Sequence, residues 1–298
     1  MNHTSVRSTA KRLAWAQLLR LPNLVTAMAD VAAGMSLASG TLPGWGTVAA
    51  LLTASVSLYG GGIVLNDVFD VEVDRRERPH RPLPSARIEV QNARYLGLLL
   101  LAAGIALASL AGARSAVIAA VVAGLAYAYD AHLKRHPVLG GLALAGCRYF
   151  NLLMGVAILP FGPSSWLLPT PLALYILAIM PMSRVEVDGG GRCAPMCSGI
   201  LLVGTLVATG VLALAGAFHH PLAALLVGLV VGMAAEAVTD AVRAPIPRRL
   251  QSAIHRMLLG LIPLNAALAA CGPRPWAGAA ILLLLLPARS LGRRIPMT

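Results

Sequence analysis

The sequence predicts an all-α fold, a polytopic membrane bundle of nine to ten transmembrane helices. Only 12% of its 298 residues are charged and 57% are hydrophobic, whereas a soluble domain carries about 25% charged residues. Mean hydropathy is +0.74, and the apolar residues form runs close to the roughly 20 residues that cross a bilayer. A chain with so little polar surface is expected to be an integral membrane protein.

Ten apolar runs follow one another through a single domain that occupies residues 1–298. Glycine and proline separate several of them, as between Gly40 and Gly46 and again between His219 and Pro221. The fourth run is the shortest, and the sequence leaves open whether all ten cross the membrane or one lies at the interface. The runs are 21–40, 47–66, 93–113, 115–130, 138–160, 167–183, 194–217, 221–241, 252–271 and 275–291.

The basic residues predict the orientation of these runs. With a cytoplasmic N-terminus, 21 of the 24 lysines and arginines fall on the cytoplasmic side; only Arg114 and Arg274 fall outside, and Arg148 lies within the fifth run. This bias follows the positive-inside rule and predicts that the functional site faces the cytoplasm; the expected location is a bacterial inner membrane. The net charge of +12 is therefore interpreted as a belt facing lipid headgroups, with no nucleic-acid partner.

Residues 66–84, NDVFDVEVDRRERPHRPLP, form the most specific motif of the chain. Asp67, Asp70 and Asp74 stand at i, i+3 and i+7, which predicts one shared helix face directly after the apolar run 47–66. Carboxylates at a membrane boundary are costly to hold there and usually mark a functional site. Three on one face suit a hard cation such as Mg²⁺, which shares its oxygen ligands with a phosphate.

Basic and aromatic residues near this motif have two interpretations each. The guanidinium groups of Arg75 and Arg81 are suited to phosphate oxygens, although positive-inside anchoring also explains arginines at this place. Lys134 is either a phosphate ligand or a topology anchor. Tyr127 and Tyr129, five to seven residues before it, are either part of the site or ordinary interface aromatics.

Two further acidic clusters follow later runs on the same predicted side. Glu186 and Asp188 are expected to hold a second cation, and glycines 189–191 either let the backbone approach a phosphate or simply form a turn. Asp240 lies three residues before Arg243, and an internal pair between the two is the preferred explanation.

Three polar residues lie inside apolar runs. They are Asp30, Arg148 and Asn151. An unpaired charge inside a bilayer is costly, so each should face the bundle interior and find a partner there. A structural ion pair between Asp30 and Arg148 and a role in a substrate cavity both remain open.

Together these residues indicate transfer of an alkyl group from an isoprenoid diphosphate. Mg²⁺ bound by carboxylates neutralises charge on a departing diphosphate, and arginine and lysine add further stabilisation. The apolar interior of a helical bundle holds a long hydrocarbon tail and keeps water away from a reactive cation. The donor would enter from the cytoplasm and the second substrate from the bilayer.

The motif and two other segments resemble the UbiA family of intramembrane prenyltransferases. Residues 66–83 match its NDxxDxxxD motif and the arginines after it, with Ala86 in place of a glycine. Residues 127–141, YAYDAHLKRHPVLGG, are similar to its YSxxLKR segment, and residues 20–24, RLPNL, to the entry of its first helix. The resemblance covers most of the chain. It implies a UbiA-like bundle that binds Mg²⁺ and an isoprenyl diphosphate and prenylates a hydrophobic, often aromatic, acceptor.

The resemblance assigns each candidate residue a role. The metal and catalytic residues are Asp67, Asp70 and Asp74, with a second metal site at Glu186 and Asp188. The allylic cation would lie against Tyr127 or Tyr59. The diphosphate ligands are Asn66, Arg75, Arg81, Lys134 and Arg184, and the acceptor ligands are Asn23, Asp30 and Asn151.

The second acidic motif departs from the family's DxxxD pattern. In residues 183–190, SRVEVDGG, Arg184 stands where the first aspartate would fall. This cation either pairs with phosphate directly or marks the loss of the second Mg²⁺ site, and the variant resembles the UbiA-like EboC branch. The first alternative function is a catalytically impaired relative that binds or transports an isoprenoid lipid or a secondary-metabolite precursor. The second is a CDP-alcohol phosphotransferase, which the spacing of residues 66–74 disfavours. The sequence predicts neither the acceptor, the prenyl chain length nor the oligomeric state.

Overall fold

The computed structural model describes residues 13–38, 43–187 and 189–294, and every regular element in these ranges is helical, which confirms the all-α class. The elements are α1 (Leu21–Ala38), α2 (Trp45–Phe69), α3 (Val71–Glu77), α4 (Val90–Ser109), α5 (Ala113–Ala131), α6 (Leu139–Val156), α7 (Thr170–Ser183), α8 (Cys193–Leu214), α9 (Ala224–Arg243), α10 (Pro247–Leu259), α11 (Leu261–Ala270), α12 (Trp276–Leu282) and α13 (Leu285–Arg294). Short 3₁₀ turns at Leu133–Arg135 and Pro221–Ala223 follow α5 and precede α9.

Seven helical stretches in the described part of the chain are long and apolar enough to cross a membrane. Three more are apolar but shorter, at Asn23–Ala38, Thr170–Ser183 and Trp276–Ser290. The predicted tenth run, 275–291, is divided between α12 and α13. A count of nine to ten full spans is therefore not confirmed, although the integral membrane character is.

The helices pack in a closed ring. Each long helix contacts the next along the chain, from α1 and α2 through α4 to α9, and α11 returns to pack on α1. Contacts of α1 with α6 and of α2 with α5 cross the ring and bring the two halves together. The main core cluster lies along these contacts. The ring therefore brings the predicted motifs, which are far apart in sequence, to one region.

The crossing of α1 and α6 depends on glycine. A Cβ atom added at Gly155 would lie 2.2 Å from the carbonyl oxygen of Val31, and one added at Gly34 would lie 2.0 Å from that of Leu152. Only two residues without side chains let the backbones approach so closely, which is the usual means of packing helices in a membrane. This close contact fixes where Asp30 on α1 meets Arg148 on α6.

The prediction that one helix carries all three aspartates is wrong. Helix α2 ends at Phe69, and Asp70 adopts φ −93° and ψ 0° before α3 begins at Val71. This is the bridge conformation that joins two helical segments. Backbone hydrogen bonds from Asp70 to Asn66 and from Asp74 to Asp70 continue across the joint. Asp67 thus belongs to α2, Asp70 to the joint and Asp74 to α3.

Candidate active site

A cavity of about 240 Å³ lies between α2, α5 and α6 beside the aspartate motif. Its middle is lined by apolar residues such as Ile63 and Ala126. Polar residues lie at its two ends, with Arg20, Asn66, Tyr129 and Asp130 at the first and Ser55, Tyr59, Arg148 and Asn151 at the second. Asn66 and Ser55 are eleven residues apart on α2, or about 16 Å along the helix axis.

Arginines from two segments bind the first and third aspartates of the motif. Arg20 Nη2 donates to Asp67 Oδ1 at 2.7 Å, and Arg81 Nη1 donates to Asp74 Oδ2 at 2.8 Å. The same Arg81 nitrogen lies 3.7 Å from Asp67 Oδ1. Asp67, Asp74 and Arg81 are all buried, so these charges interact in a medium that screens them weakly. Arg81 therefore holds the first and third carboxylates around one point.

The geometry of Arg20 was not foreseen from the motif. Arg20 has φ of 45°, which lies in the left-handed region that residues other than glycine rarely adopt. Such strain is found mostly where the surrounding structure fixes a functional side chain. In the sequence, the indication that Arg20 could belong to the site was its position at the start of the RLPNL segment, before the first apolar run.

Asp70, the middle aspartate, pairs with a different cation. Lys134 Nζ donates to Asp70 Oδ1 at 2.5 Å and lies 6.0 Å from the centre of the Phe69 ring. The side chain of Asp70 is 31% exposed, against 7% for Asp67. Lys134 follows α5, so the contact between α2 and α5 places it here. Asp70 is therefore the most exposed aspartate of the motif.

Asn66 on α2 and Asp130 on α5 are hydrogen-bonded to each other at the wall of the cavity. Asn66 Nδ2 donates to Asp130 Oδ1 at 2.8 Å, and Asp130 is buried. Both residues line the cavity. The diphosphate-binding role of Asn66 stays a prediction, while Asp130 adds a carboxylate to which the sequence assigned no role. In the YSxxLKR register Asp130 occupies the serine position, which was the available signal.

Tyr129 lines the cavity, whereas Tyr127, the tyrosine predicted for the site, does not. Tyr129 feels the charges of Asp130, Asp70 and Arg184. Tyr127 is 44% exposed and packs edge-on against Phe69, with ring centres 5.8 Å apart. Successive helical positions point in different directions, so residues two apart cannot both face one cavity. Counting back from Lys134 in the YSxxLKR pattern also leads to Tyr129.

The donor set of the motif fits Mg²⁺ in its chemistry. Asp67, Asp70 and Asp74 present carboxylate oxygens, the hard ligands that Mg²⁺ prefers. In the described part of the chain, however, no three histidine, cysteine, aspartate or glutamate side chains converge on a point that could hold an ion. Each of these carboxylates is instead bound by a lysine or an arginine. An anion that drew those cations away would free the carboxylates for the metal.

The predicted second metal site is only partly described. Asp188 lies outside the described residues, and Glu186 is half-buried with its backbone oxygen accepting from Gln251 Nε2 at 3.4 Å. Arg184 Nη2 donates to the backbone oxygen of His136 at 2.9 Å and thereby joins the end of α7 to the loop after α5. Arg184 is close enough to Tyr129 to interact with it electrostatically, while the role of Glu186 and Asp188 stays a prediction.

Two other predicted ligands lie away from the cavity. Arg75 is exposed and pairs with Glu72 on its own helix at 2.5 Å. Asn23 is half-buried, its carbonyl oxygen accepts from Thr26 Oγ1 at 2.8 Å, and it is not among the residues that line the cavity. The ligand roles of Arg75 and Asn23 therefore stay predictions.

A buried polar cluster forms the second end of the cavity. Arg148 Nη1 donates to Asp30 Oδ2 at 2.8 Å, which confirms the predicted pair. Asp30 also accepts from Asn265 Nδ2 at 2.8 Å and from Asn151 Nδ2 at 3.1 Å. The Arg148 guanidinium lies 4.6 Å from the centre of the Tyr59 ring. Arg148 and Asn151 line the cavity, and Asp30 lies behind them.

Polar groups elsewhere have ordinary explanations. Arg243 and Asp240 form the predicted internal pair, 3.6 Å apart and largely exposed. Cys271 follows α11, and burial raises the pKa of its thiol to about 12, so this cysteine stays protonated and unreactive at neutral pH.

Known proteins resemble most of this chain. A model of the UbiA prenyltransferase family matches residues 27–250. The digeranylgeranylglyceryl phosphate synthase of Sulfurisphaera tokodaii is 31% identical over 181 residues, which cover 59% of this chain and 63% of that protein. The synthase of the same name from Ignicoccus hospitalis is 33% identical over 187 residues, or 62% of this chain and 60% of that protein. The chain thus spans about three fifths of each curated relative.

Solved structures share the fold. A UbiA homolog from Archaeoglobus fulgidus superposes with a TM-score of 0.69 at 14% identity, over 91% of this chain and 99% of that one. The same homolog bound to GPP and Mg²⁺ superposes with a TM-score of 0.57 at 15% identity, again over 91% and 99% of the two chains. At this level of identity the likeness concerns the arrangement of helices alone.

Proposed function

The chain belongs to the UbiA prenyltransferase family, and on that premise we propose that it transfers an isoprenyl group from an isoprenyl diphosphate to a hydrophobic acceptor within the membrane. One observation carries this proposal. Three aspartates, each bound by a lysine or an arginine, lie beside the end of the cavity that Arg20, Asn66 and Asp130 line. A cavity with this distribution of charge suits a molecule with a polyanionic head and a hydrocarbon tail.

The cations of the site would bind the diphosphate. Arg20, Arg81 and Lys134 now neutralise the aspartates. A diphosphate offers each of them phosphate oxygens, for which arginine has a matching planar fork. The exchange would release Asp67, Asp70 and Asp74 to hold Mg²⁺ together with the diphosphate. Bound there, the metal neutralises the charge of the leaving group.

The reaction would begin with cleavage of the bond between C1 of the prenyl chain and its diphosphate oxygen, with the electron pair leaving on the diphosphate. Lys134 and Arg81 would stabilise that charge, and Arg184 lies close to Tyr129. The cation left on the prenyl chain would face the ring of Tyr129, since one face of Tyr59 already carries the Arg148 guanidinium. The apolar middle of the cavity would keep water from this cation.

The acceptor would then form the new bond to C1 and lose a proton. Asp130 is the proposed proton acceptor, because its carboxylate lines the cavity at the same end as Tyr129. Asn66, which donates to Asp130 Oδ1, would hold the carboxylate in place. Changing Asp130 to Asn should lower the transfer rate by about 10²-fold or more while the affinity for the prenyl diphosphate changes little.

Two classes of acceptor are compatible with the family. Aromatic acceptors remain a proposal from the motif resemblance. The relatives are named as synthases of digeranylgeranylglyceryl phosphate, and a glyceryl phosphate acceptor is therefore the second candidate. We place the aspartate motif on the cytoplasmic side of the membrane from the distribution of basic residues. A bacterial inner membrane stays a proposal, as does the EboC branch, which we retain on the presence of Arg184 in the second motif.

A carrier that binds prenyl diphosphate without turnover is the alternative function. The observation that favours it is that each aspartate of the motif is already neutralised and that Arg184 replaces an aspartate of the second motif. Such a protein would keep the cavity and its cations but lack a complete metal site. Binding and turnover must therefore be measured separately.

The decisive experiment measures diphosphate release from geranyl, farnesyl and geranylgeranyl diphosphates by the protein purified in detergent. It is run with and without Mg²⁺ and with a pool of aromatic and glyceryl phosphate acceptors. Asp70→Asn is the test variant, and Asp240→Asn, in an exposed pair on α9, is the matched control. Release that needs Mg²⁺, is lost in Asp70→Asn and persists in Asp240→Asn supports the enzyme. Tight binding without release from any donor supports the carrier.

A further inference from the structure

Two short segments contact the turn of α2 that carries Asp67, and each supplies it with an arginine. Residues 13–20 precede α1 and end in Arg20, and residues 78–88 follow α3 and contain Arg81. Arg20 Nη2 and Arg81 Nη1 lie 2.7 and 3.7 Å from the same atom, Asp67 Oδ1. We call the two segments the arginine clamp. The relative position of its two parts determines how far apart these guanidinium groups are.

A small apolar core holds both parts of the clamp against α2, and it is separate from the main core cluster. Its buried members are Ala14 and Leu18 of the first part, Leu83 and Ile88 of the second, Val64 and Val68 of α2 and Ala93 of α4. Val64 lies about one helical turn before Asp67 and Val68 directly after it. This core therefore packs on the turn of α2 that holds the carboxylate.

Arg87 connects the two parts of the clamp by hydrogen bonds. Its Nη1 atom donates to Gln17 Oε1 at 3.0 Å, across 70 residues of chain. Its Nη2 atom donates to the carbonyl oxygen of His80 at 2.6 Å, directly before Arg81, and its Nε atom donates to Ser85 Oγ at 3.0 Å. One planar guanidinium thus bonds to both parts through three nitrogen atoms, a geometry that an ammonium group does not reproduce.

The backbone of both parts adopts a costly conformation next to these contacts. Arg20 has φ of 45°, and Ala86, directly before Arg87, has φ of 56°. Within the described ranges, these two are the residues other than glycine with positive φ. Such conformations persist only where the surrounding structure fixes them, and they cluster at functional sites. The small core and the Arg87 contacts are the surrounding structure here.

We propose that Gln17 and Arg87 are positioning residues, which hold the two parts of the clamp together so that Arg20 and Arg81 meet one diphosphate group as a pair. The inference rests on the proposed function in one respect, namely that these two arginines bind the diphosphate. Gln17 and Arg87 do not line the cavity, so they act through the backbone of the clamp. Without their contact, the affinity for a diphosphate falls, because binding must then order two parts that move independently.

The test measures the affinity for a prenyl diphosphate analogue that resists cleavage. The probe is geranyl thiodiphosphate, in which sulfur replaces the oxygen atom at C1, titrated with Mg²⁺ into the full-length protein in detergent. The apparent Kd is taken from the rise in Tm with probe concentration. Gln17→Leu should raise this Kd about fivefold and Arg87→Leu about tenfold. The double variant should be no worse than Arg87→Leu alone, because Gln17 has then already lost its partner.

Two further variants separate positioning from charge and from general surface effects. Arg87→Lys keeps the positive charge but not the planar fork, and it should weaken binding nearly as much as Arg87→Leu. Asn92→Leu is the matched control for Gln17→Leu, because Asn92 is an exposed amide whose Nδ2 atom donates to Glu89 Oε2 at 2.8 Å, just after the clamp in the chain. Its Kd should stay within about twofold of that of the wild type.

Wild-type affinity in Arg87→Lys would overturn the proposal, since charge alone would then explain the loss in Arg87→Leu. Equal losses in Gln17→Leu and Asn92→Leu would overturn it too. Gln17 is half-buried and outside the small core, so Gln17→Leu decides the matter even if Arg87→Leu fails to fold.

The outcome also separates this inference from the proposed function. Coupled losses of affinity in Gln17→Leu and Arg87→Leu, together with no Mg²⁺-dependent release of diphosphate, would support the clamp and refute the transferase. Release that depends on Asp70, together with wild-type affinity in both variants, would support the transferase and refute the clamp.

Discussion

Removing the charge of Asp30 should be among the most damaging single changes that this bundle can undergo. Asp30 is 0% exposed and accepts from Arg148, Asn265 and Asn151 at 2.8, 2.8 and 3.1 Å. In Asp30→Leu all three donors lose this acceptor, and the Arg148 charge has no counter-charge inside the bundle. Breaking a buried pair in this way costs about 3–5 kcal/mol of unfolding free energy.

The free-energy cost of Asp30→Leu has one part from charge and one from hydrogen bonding, and a double variant separates the two. Asn151 keeps the Ala27 carbonyl oxygen and Asn265 keeps that of Leu261 at 3.0 Å, so the amides lose only part of their bonding. Most of the free-energy cost of Asp30→Leu therefore comes from the Arg148 guanidinium, which is left without its ion-pair partner. Asp30→Leu combined with Arg148→Met removes both charges and should recover about 2 kcal/mol or more relative to the sum of the single variants.

The assay is equilibrium unfolding of the purified protein in mixed micelles with increasing sodium dodecyl sulfate, followed by the fluorescence of its four tryptophans. Asp240→Asn is the control, because its partner Arg243 is 72% exposed and such a surface pair contributes roughly 0–1 kcal/mol. Additive effects of Asp30→Leu and Arg148→Met would refute the reasoning, since they would mean that the two charges do not interact.

Three further outcomes follow from single contacts. Gly155→Ala should destabilise the protein by about 3 kcal/mol in the same assay, because the new Cβ would lie 2.2 Å from a backbone oxygen. Gly210→Ala is the control and should be near neutral, because there is open space around Gly210. Ala86→Gly should stabilise it by about 1 kcal/mol, because Ala86 has φ of 56°; no gain would show that the strain is relieved elsewhere. Tyr129→Leu should lower turnover by about 30-fold through loss of a cation–π contact, while Tyr127→Leu should stay within about twofold; equal losses would contradict the cavity assignment.

Much of the helical framework follows from the sequence because a bilayer leaves few choices. An apolar run must form a helix to satisfy its own backbone, and the run 47–66 is indeed contained in α2. A charge in such a run must find a partner, which predicted the Asp30–Arg148 pair. The tenth run was less well predicted. Hydropathy depends on composition alone, so it does not show that this run is divided between α12 and α13.

The candidate site could also be predicted only in part. The identity of the aspartates, the basic residues around them and the family could be predicted from the spacing and resemblance of short motifs. The sequence could not predict which aspartate each cation binds, because the partners are far apart in the chain. Arg20 and Asp67 are 47 residues apart, and Lys134 and Asp70 are 64 residues apart. That Tyr129 rather than Tyr127 lines the cavity could have been predicted from the motif register, and Ala86 now explains why a glycine is usual at its position, since φ there is positive.

By itself, the sequence determined that this protein is a helical membrane bundle of the UbiA family with an acidic motif at a membrane boundary. Those properties depend on local composition and on short-range spacing. Only the tertiary structure decided that Arg148 and Asn151 line the second end of the cavity while Asp30, their common partner, lies behind them. These features depend on how closely α1 and α6 approach at Gly34 and Gly155, and such packing is set by contacts between residues that are distant in the chain.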